Sequence, residues 1–357
     1  MHSGRPGAGV RGAVYVDMAI LPAGVWGTAL AVPASAAGRR VRLWRRTPGW
    51  AESWDRGHPV LPGLKLPENV VACDSAQAAV SDADLVILSP AGAGLRPVCR
   101  LVRPHLRPDA VIVCATKSIE PETHLLVHQV VEEELPGHRG RIVALSGPNF
   151  AHEVAAGLPT GAVAACPDLS LADWVQQALM TDRFRVYTNP DLVGVELAGA
   201  LKNVIALGAG ISDGLGMGDN ARAALITRGL VEMARLGRAM GANPLTFAGL
   251  AGMGDLVLSC TGDSSRNRRA GLAIGRGQSA EAFLAETGLT VEGITTARAG
   301  WQLAQRLGVR MPITEAIYQV LYEGLPPLTA MERLMARPRA HELEEVAGAD
   351  LKPPFDP

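Results

Sequence analysis

Ala19-Ile20-Leu21-Pro22-Ala23-Gly24-Val25-Trp26-Gly27-Thr28-Ala29 is the stretch on which the fold turns. Three apolar residues suited to a buried strand run into a Pro/Gly turn, and the turn opens an apolar helix expected over residues 26–37. The pattern is one glycine short of G-x-G-x-x-G, the turn that brings a dinucleotide pyrophosphate onto a helix N-terminus. Gly24 would let the backbone approach the phosphates, and Gly27 would let the helix pack tightly on the strand. Pro22 stands where the first glycine belongs. Its fixed φ and missing N–H require the turn to be made another way. Pro33 falls inside the helix and is expected to kink it or end it early.

Outward from this turn, apolar runs recur at 41–44, 85–88, 110–114 and 142–145, with helix-compatible segments between them. Continuous apolar strands alternating with helices imply a parallel sheet covered on both faces. From Glu196 to about Arg337 the pattern is helical almost throughout, with glycine-rich breaks at 214–218 and 249–254. The expected fold is therefore α/β: a Rossmann-like doubly wound parallel sheet followed by an all-α C-terminal domain. The expected division is a disordered Gly/Arg-rich leader at 1–17, a nucleotide-binding domain at 18–195, a helical substrate-binding and catalytic domain at 196–344 and a flexible tail at 345–357. Met18 is an alternative start.

At 357 residues the chain is long enough for two cores. Its net charge of −1 gives no electrostatic footprint for nucleic acid. The five cysteines are scattered with no CxxC pair, which argues against a zinc site or disulfide framework and fits a cytoplasmic location. No run of 18 uninterrupted apolar residues occurs, so no stable membrane insertion is expected. Arg5, Arg11 and Ala34-Ser35-Ala36 imitate a signal peptide, but Asp17 and the strand–turn–helix pattern interrupt it.

Chemistry enters at Glu196-Leu-Ala-Gly-Ala-Leu-Lys202-Asn203-Val-Ile-Ala, an apolar helix with no wide polar face for Lys202. A buried ammonium is costly, so such a lysine either snorkels to the surface or is paired and used as an acid or base. Arg45 and Arg46 follow the second strand, where an acidic residue would hold NAD ribose hydroxyls. Arginines there favour NADP(H) over NAD(H), and their plain alternative is a solvated loop.

Eight motifs in order then identify a resemblance. They are Gly24-x-Trp26-Gly27-Thr28-Ala29-Leu30, Ala115-Thr116-Lys117, Ser146-Gly147-Pro148-x-Phe150-Ala151-x-Glu153, Leu201-Lys202-Asn203-Val204, Gly218-Asp219-Asn220, Gly249-Leu-Ala-Gly-x-Gly254-Asp255-Leu256, Ser265-Arg266-Asn267-Arg268 and Val291-Glu292-Gly293. From about Met18 to about Arg337 the chain resembles the bacterial-type NAD(P)-dependent glycerol-3-phosphate dehydrogenases. The resemblance implies an oxidoreductase that moves a hydride reversibly between NAD(P)H and C2 of dihydroxyacetone phosphate, giving sn-glycerol 3-phosphate for glycerophospholipid synthesis.

It implies Lys202 as acid/base, Lys117 as a second cation at the reacting oxygen and Asp255 as the carboxylate that orients Lys202. It places Gly147, Asn149, Asn203, Ser265, Arg266 and Asn267 at the substrate with these three. It places Gly24, Val25, Trp26, Gly27, Arg45, Arg46, Lys117, Ala151, Arg266, Thr290 and Glu292 at the cofactor. No metal is expected, and a homodimer is. Asp255 after glycine could instead be a helix N-cap, and the arginines a solvated turn.

Several positions depart from the family pattern: Pro22, Val25, the segment Pro90-Ala91-Gly92-Ala93-Gly94, Ser118 and Asn149. Most lie in the nucleotide-binding half. Pro22 and Pro33 leave open an alternative, a non-catalytic relative that binds a phosphorylated metabolite or cofactor.

Overall fold

The computed structural model describes residues 16–54, 61 and 63–338. Among the described residues eight strands form one sheet in the order β3-β2-β1-β4-β5-β6-β7-β8. They are β1 (Asp17–Leu21), β2 (Arg40–Trp44), β3 (Val70–Cys73), β4 (Leu85–Leu88), β5 (Val111–Cys114), β6 (Ile142–Ser146), β7 (Thr160–Ala165) and β8 (Phe184–Asn189). The first six run parallel; β7 is antiparallel to β6, and β8 is parallel to β7. Among the described residues six α-helices accompany the sheet: α1 (Val25–Ala36), α2 (Ala76–Val80), α3 (Leu95–Val102), α4 (Val127–Glu134), α5 (Ala151–Ala155) and α6 (Leu169–Leu179). Two apolar clusters sandwich it, one holding Met18, Ile20 and Leu85, the other Ala19, Leu21 and Val86. Alternate residues of β1 and β4 thus feed opposite faces, as a doubly covered sheet requires.

Among the described residues nine α-helices follow: α7 (Leu192–Gly214), α8 (Gly218–Ala239), α9 (Pro244–Phe247), α10 (Asp255–Thr261), α11 (Arg266–Gly275), α12 (Ala280–Thr287), α13 (Glu292–Arg306), α14 (Pro312–Tyr322) and α15 (Pro327–Met335). At their centre lies α7. It is long and apolar enough to cross a membrane, yet 89% of its most apolar window is buried inside the protein. It is the core helix around which the others pack.

Several sequence expectations need correction. The leader boundary at 17 is too late, because Val16 is buried and Asp17 is already the first residue of β1. The rest of the leader expectation, and the tail at 345–357, fall on residues outside those described. Pro33 does not end α1, which continues to Ala36. Proline deletes one donor near the C-terminal end, and the turn beyond it still closes through Ala37 N–H to the Pro33 carbonyl at 2.9 Å. Val195 lies inside α7, whose N-cap is Asp191. The change from sheet to helix therefore falls a turn earlier than the apolar pattern suggested.

One buried acid ties the helical half together and carries a pH prediction. Glu232 on α8 accepts from Ile313 N–H at 2.6 Å, Thr314 N–H at 3.1 Å and Thr314 Oγ1 at 3.0 Å, capping α14 from a neighbouring helix. Burial pushes its pKa up from 4.5 to about 7, against the pull of these hydrogen bonds. Between those values the folded chain holds a proton that the unfolded chain has released. The stability from this group is therefore complete below pH 4.5 and is lost as pH rises through about 7. Glu232→Gln should remove that slope, worth about 3 kcal/mol by ~1.4 kcal/mol per pKa unit. Urea unfolding of both proteins from pH 4.5 to 7.5 measures it, and parallel profiles would refute the assignment.

Candidate active site

The site lies where the carboxyl ends of the strands meet α7. Lys117 follows β5, Gly147 follows β6, Lys202 sits mid-way along α7, and Asp255 opens α10 after a π-helical turn (Leu250–Gly254). The turn delivers Asp255 between the two lysines. Lys117 Nζ lies 2.5 Å from Oδ2 and Lys202 Nζ 3.0 Å from Oδ1. Asp255 therefore does not cap its own helix.

Lys117 also donates to the Gly147 carbonyl at 2.9 Å, and Lys202 to Ser259 Oγ at 2.7 Å. All three groups are mostly buried, with Asp255 almost wholly so. Burial holds the Lys117 ammonium below its ordinary pKa; Asp255 opposes that shift and the Lys202 charge adds to it. Burial would raise the Asp255 pKa, but the two lysines together keep it below 3.8. The result is a desolvated cluster with one net positive charge, suited to a developing oxyanion.

A hydrogen-bonded run surrounds the cluster. Asn203 Nδ2 donates to the Lys117 carbonyl at 3.3 Å, Asn267 Nδ2 donates to Asn203 Oδ1 at 2.8 Å, and Gly293 N–H donates to Asn267 Oδ1 at 2.8 Å. Beside it, Glu292 Oε1 accepts from Gly92 N–H at 3.0 Å, joining the start of α13 to the loop after β4. Burial raises the Glu292 pKa, against the Gly92 bond and the charge of Arg266. Thr290 lies just ahead of α13.

Ser265 caps α11 by accepting from Arg268 N–H at 3.3 Å, and Arg266 is the exposed first residue of that helix. Arg268, by contrast, is structural: it bonds Asp213 at 2.9 Å. Asn149 Nδ2 donates to the Gly161 carbonyl at 2.8 Å, while its Oδ1 is buried without a partner. Ala151 begins α5 and packs on the sheet core.

The nucleotide turn is built around Pro22. Ala23 N–H donates to the Trp44 carbonyl at 2.6 Å and Gly24 N–H to the Pro22 carbonyl at 2.8 Å. Gly24 is the N-cap of α1, with no side-chain cap and no acidic residue in the first turn, which holds Val25 and Trp26. A Cβ on Gly24 would meet nothing within 4 Å, whereas one on Gly27 would fall 2.5 Å from the Pro22 carbonyl oxygen. An uncapped helix N-terminus opening onto free space, with a glycine pressed to the strand behind it, fits a dinucleotide pyrophosphate. Arg45 and Arg46 lie just past β2, half-buried and exposed, and follow Trp44, whose carbonyl accepts from Ala23 N–H of the nucleotide turn.

Three features escaped sequence reading. Ser259 stands one helical turn after Asp255, and that i, i+4 spacing was the available signal. Gly199 on α7 lets Lys117 pass: a Cβ there would sit 2.9 Å from Ser146 Oγ and 3.4 Å from Lys117 Cγ. Gly92 compensates for Ser118, since a Cβ at 92 would lie 2.6 Å from Ser118 Oγ.

Comparison with known proteins identifies the family. Family models described as the N-terminus and C-terminus of NAD-dependent glycerol-3-phosphate dehydrogenase match residues 17–172 and 191–332. Glycerol-3-phosphate dehydrogenase [NAD(P)+] of Moorella thermoacetica is 49% identical over 331 residues, 92% of this chain and 98% of the relative. The Bacillus subtilis enzyme of the same name is 46% identical over 92% of this chain and 96% of its own. The crystal structure of glycerol-3-phosphate dehydrogenase from Coxiella burnetii superimposes with a TM-score of 0.85 at 38% identity, covering 90% of this chain and 99% of that one. Motif order, fold and matched length agree: this chain belongs to the NAD-dependent glycerol-3-phosphate dehydrogenase family.

Proposed function

We propose a division of labour among these residues for the family's reaction, the NAD(P)-dependent interconversion of dihydroxyacetone phosphate and sn-glycerol 3-phosphate. The observation that carries it is the Lys117–Asp255–Lys202 cluster at the carboxyl end of the sheet. The bound nicotinamide supplies the hydride to C2, or takes it back. Lys202 donates the proton to the C2 oxygen as negative charge develops there, and in the reverse direction removes it. Lys117 stabilises the same oxygen. Asp255 holds both ammonium groups in place, and Ser259 is the positioning residue that fixes Lys202 from the other side.

The substrate phosphate is held by Arg266, Asn267, Ser265 and the loop of Gly147 and Asn149. Asn203 orients the substrate between the phosphate and the lysines. The α1 N-terminus from Gly24 to Gly27 carries the cofactor pyrophosphate, and Lys117, Ala151, Arg266, Thr290 and Glu292 line its remainder. The turn that forms around Pro22 and the continuation of α1 past Pro33 speak against the non-catalytic alternative, which rested on those two prolines.

Arg266→Met should raise KM for dihydroxyacetone phosphate roughly ten- to hundredfold, the value of a hydrogen bond to a charged group. At saturating NADPH, which offsets any loss at the cofactor, the slow reduction of dihydroxyacetone, which lacks the phosphate, should change much less. Equal effects on both ketones would remove Arg266 from the phosphate site.

Arg45 and Arg46 support NADPH over NADH as the preferred cofactor. The double variant Arg45→Glu/Arg46→Glu should lower the NADPH-to-NADH ratio of kcat/KM by roughly tenfold or more. An unchanged ratio would return both arginines to the solvated loop.

The five free cysteines support a cytoplasmic location. The apolar helices of the C-terminal half support a homodimer, which sedimentation equilibrium would test. Glycerophospholipid synthesis is the proposed destination of the product.

A further inference from the structure

α11 carries Arg266 and Asn267 in its first turn, behind the Ser265 cap. It lies on α7 with backbone against backbone. A Cβ on Gly271 would fall 2.0 Å from the Leu207 carbonyl oxygen, and one on Gly275 2.4 Å from that of Ile211. From the α7 side, a Cβ on Gly210 would fall 2.1 Å from the Arg268 carbonyl oxygen, and one on Gly214 2.6 Å from that of Leu272. Glycine permits so close an approach because it has no side chain. For the same reason the seam offers no ridges to set into grooves, the feature that fixes the crossing and register of most helix pairs. Directional polar contacts must fix them instead.

Two such contacts join α11 to α7 among the described residues. One is the Asn267–Asn203 hydrogen bond beside the lysine cluster. The other lies near the C-terminal end of α7, where Asp213 Oδ2 accepts from Arg268 Nε at 2.9 Å and lies 2.8 Å from Arg268 Nη2. A charged pair gripped by two nitrogens of one planar guanidinium is strong and directional. Arg222 of α8 donates to Asp213 Oδ1 at 2.8 Å and also pairs with Asp219, so the Gly218-Asp219-Asn220 turn braces the carboxylate. Arg268 Nη1 donates to Asp263 at 2.8 Å. Held by two carboxylates, Arg268 leaves anion recognition to Arg266. Its own N–H donates to Ser265 Oγ, which keeps the Ser265 hydroxyl proton for a phosphate oxygen.

We propose that Asp213 is a positioning residue for recognition of the substrate phosphate: through Arg268 it sets the register and rotation of α11 on its glycine seam, and so aims Ser265, Arg266 and Asn267 at the phosphate. This rests on the assignment of those three residues to the phosphate under the proposed function. Asp213 itself touches neither substrate nor cofactor; it acts at the far end of the helix that carries Lys202.

The test is steady-state kinetics of the full chain at saturating NADPH with Asp213→Asn, which keeps the side-chain volume and withdraws the charge. Its KM for dihydroxyacetone phosphate should rise roughly three- to tenfold, part of the value of a hydrogen bond to a charged group. Its kcat/KM for dihydroxyacetone, which has no phosphate to lose, should stay within about twofold of wild type. In an Arg266→Met background the same substitution should raise KM by less than about twofold, because residues that act through one another are not additive. Arg268→Gln removes the other half of the pair and should reproduce the pattern; it carries the test if Asp213→Asn does not fold. A merely structural role would slow both ketones alike. Equal effects on the two ketones, an undiminished effect in the Arg266→Met background, or an unchanged KM in both variants would overturn the proposal. If Arg266→Met discriminates between the ketones while Asp213→Asn and Arg268→Gln do not, the phosphate assignment stands and the inference alone fails. If Arg266→Met does not discriminate, both fall.

Discussion

Lys202→Met lowers kcat for dihydroxyacetone phosphate reduction by about 10²–10⁴-fold, the usual worth of a positioned general acid, and leaves the Kd for NADPH unchanged. Methionine nearly keeps the volume of the lysine stem, so α7 stays packed. Asp255 keeps its second partner, Lys117, at 2.5 Å, and no buried carboxylate is left unpaired. The loss should therefore be catalytic and not structural, with an unchanged unfolding midpoint as its control. The pH–rate profile separates the two lysines. Burial and Lys202 lower the Lys117 pKa, so Lys117 is the rival donor. If Lys117→Met abolishes the basic limb while Lys202→Met keeps it, the roles are exchanged. A Lys202→Met enzyme with more than a tenth of wild-type kcat would sink the acid/base assignment.

Asp255→Ala should cost more than activity. Its carboxylate is the shared partner of two buried ammonium groups, and its side chain is only 2% exposed. Removing one member of such a cluster strands charge in a low-dielectric site, at about 3–5 kcal/mol. Ser259 Oγ and the Gly147 carbonyl still accept from the lysines but supply no countercharge. The variant should unfold at a markedly lower temperature near neutral pH and recover part of the difference at alkaline pH, where a lysine can discharge. The wild-type contribution has the opposite dependence at low pH. The folded Asp255 pKa is held below 3.8, so its stabilisation is full above that value and is lost as pH falls through the lower, folded one. Differential scanning calorimetry of both proteins between pH 3 and 9 reads this directly. Equal midpoints across that range would mean that the cluster contributes nothing to the fold.

Much of this was legible in the sequence because the deciding features are local. The strand–turn–helix around Gly24 and the apolar runs that became β2, β4, β5 and β6 carry period and composition enough to stand alone. The other strands do not. β3 is four residues long with only Val70 buried, and β8 alternates buried and exposed residues over its first four positions only, too short a run to separate from loop. β7, Thr160–Ala165, is mostly small residues that favour no element. Its reversal against β6 depends on where the chain returns, which no local pattern records.

The same limit governs the site. Lys202 was conspicuous because an apolar helix gave it no exit. Gly199 was silent and Ser259 signalled only through its i, i+4 spacing from Asp255, because their roles exist only once α7 lies against α10 and β6. Gly92 and Ser118, each a departure from the family pattern, make sense only as a pair across space.

The central claim is that the two lysines bridged by Asp255 reduce the ketone of a phosphorylated triose. The most direct measurement is the fall in NADPH absorbance when dihydroxyacetone phosphate is added to the purified protein, repeated with Lys202→Met and with chiral analysis of the product. Consumption of one NADPH per sn-glycerol 3-phosphate formed, nearly abolished in the variant, is the predicted result. No consumption of NADPH or NADH by a folded protein that binds the cofactor would contradict it.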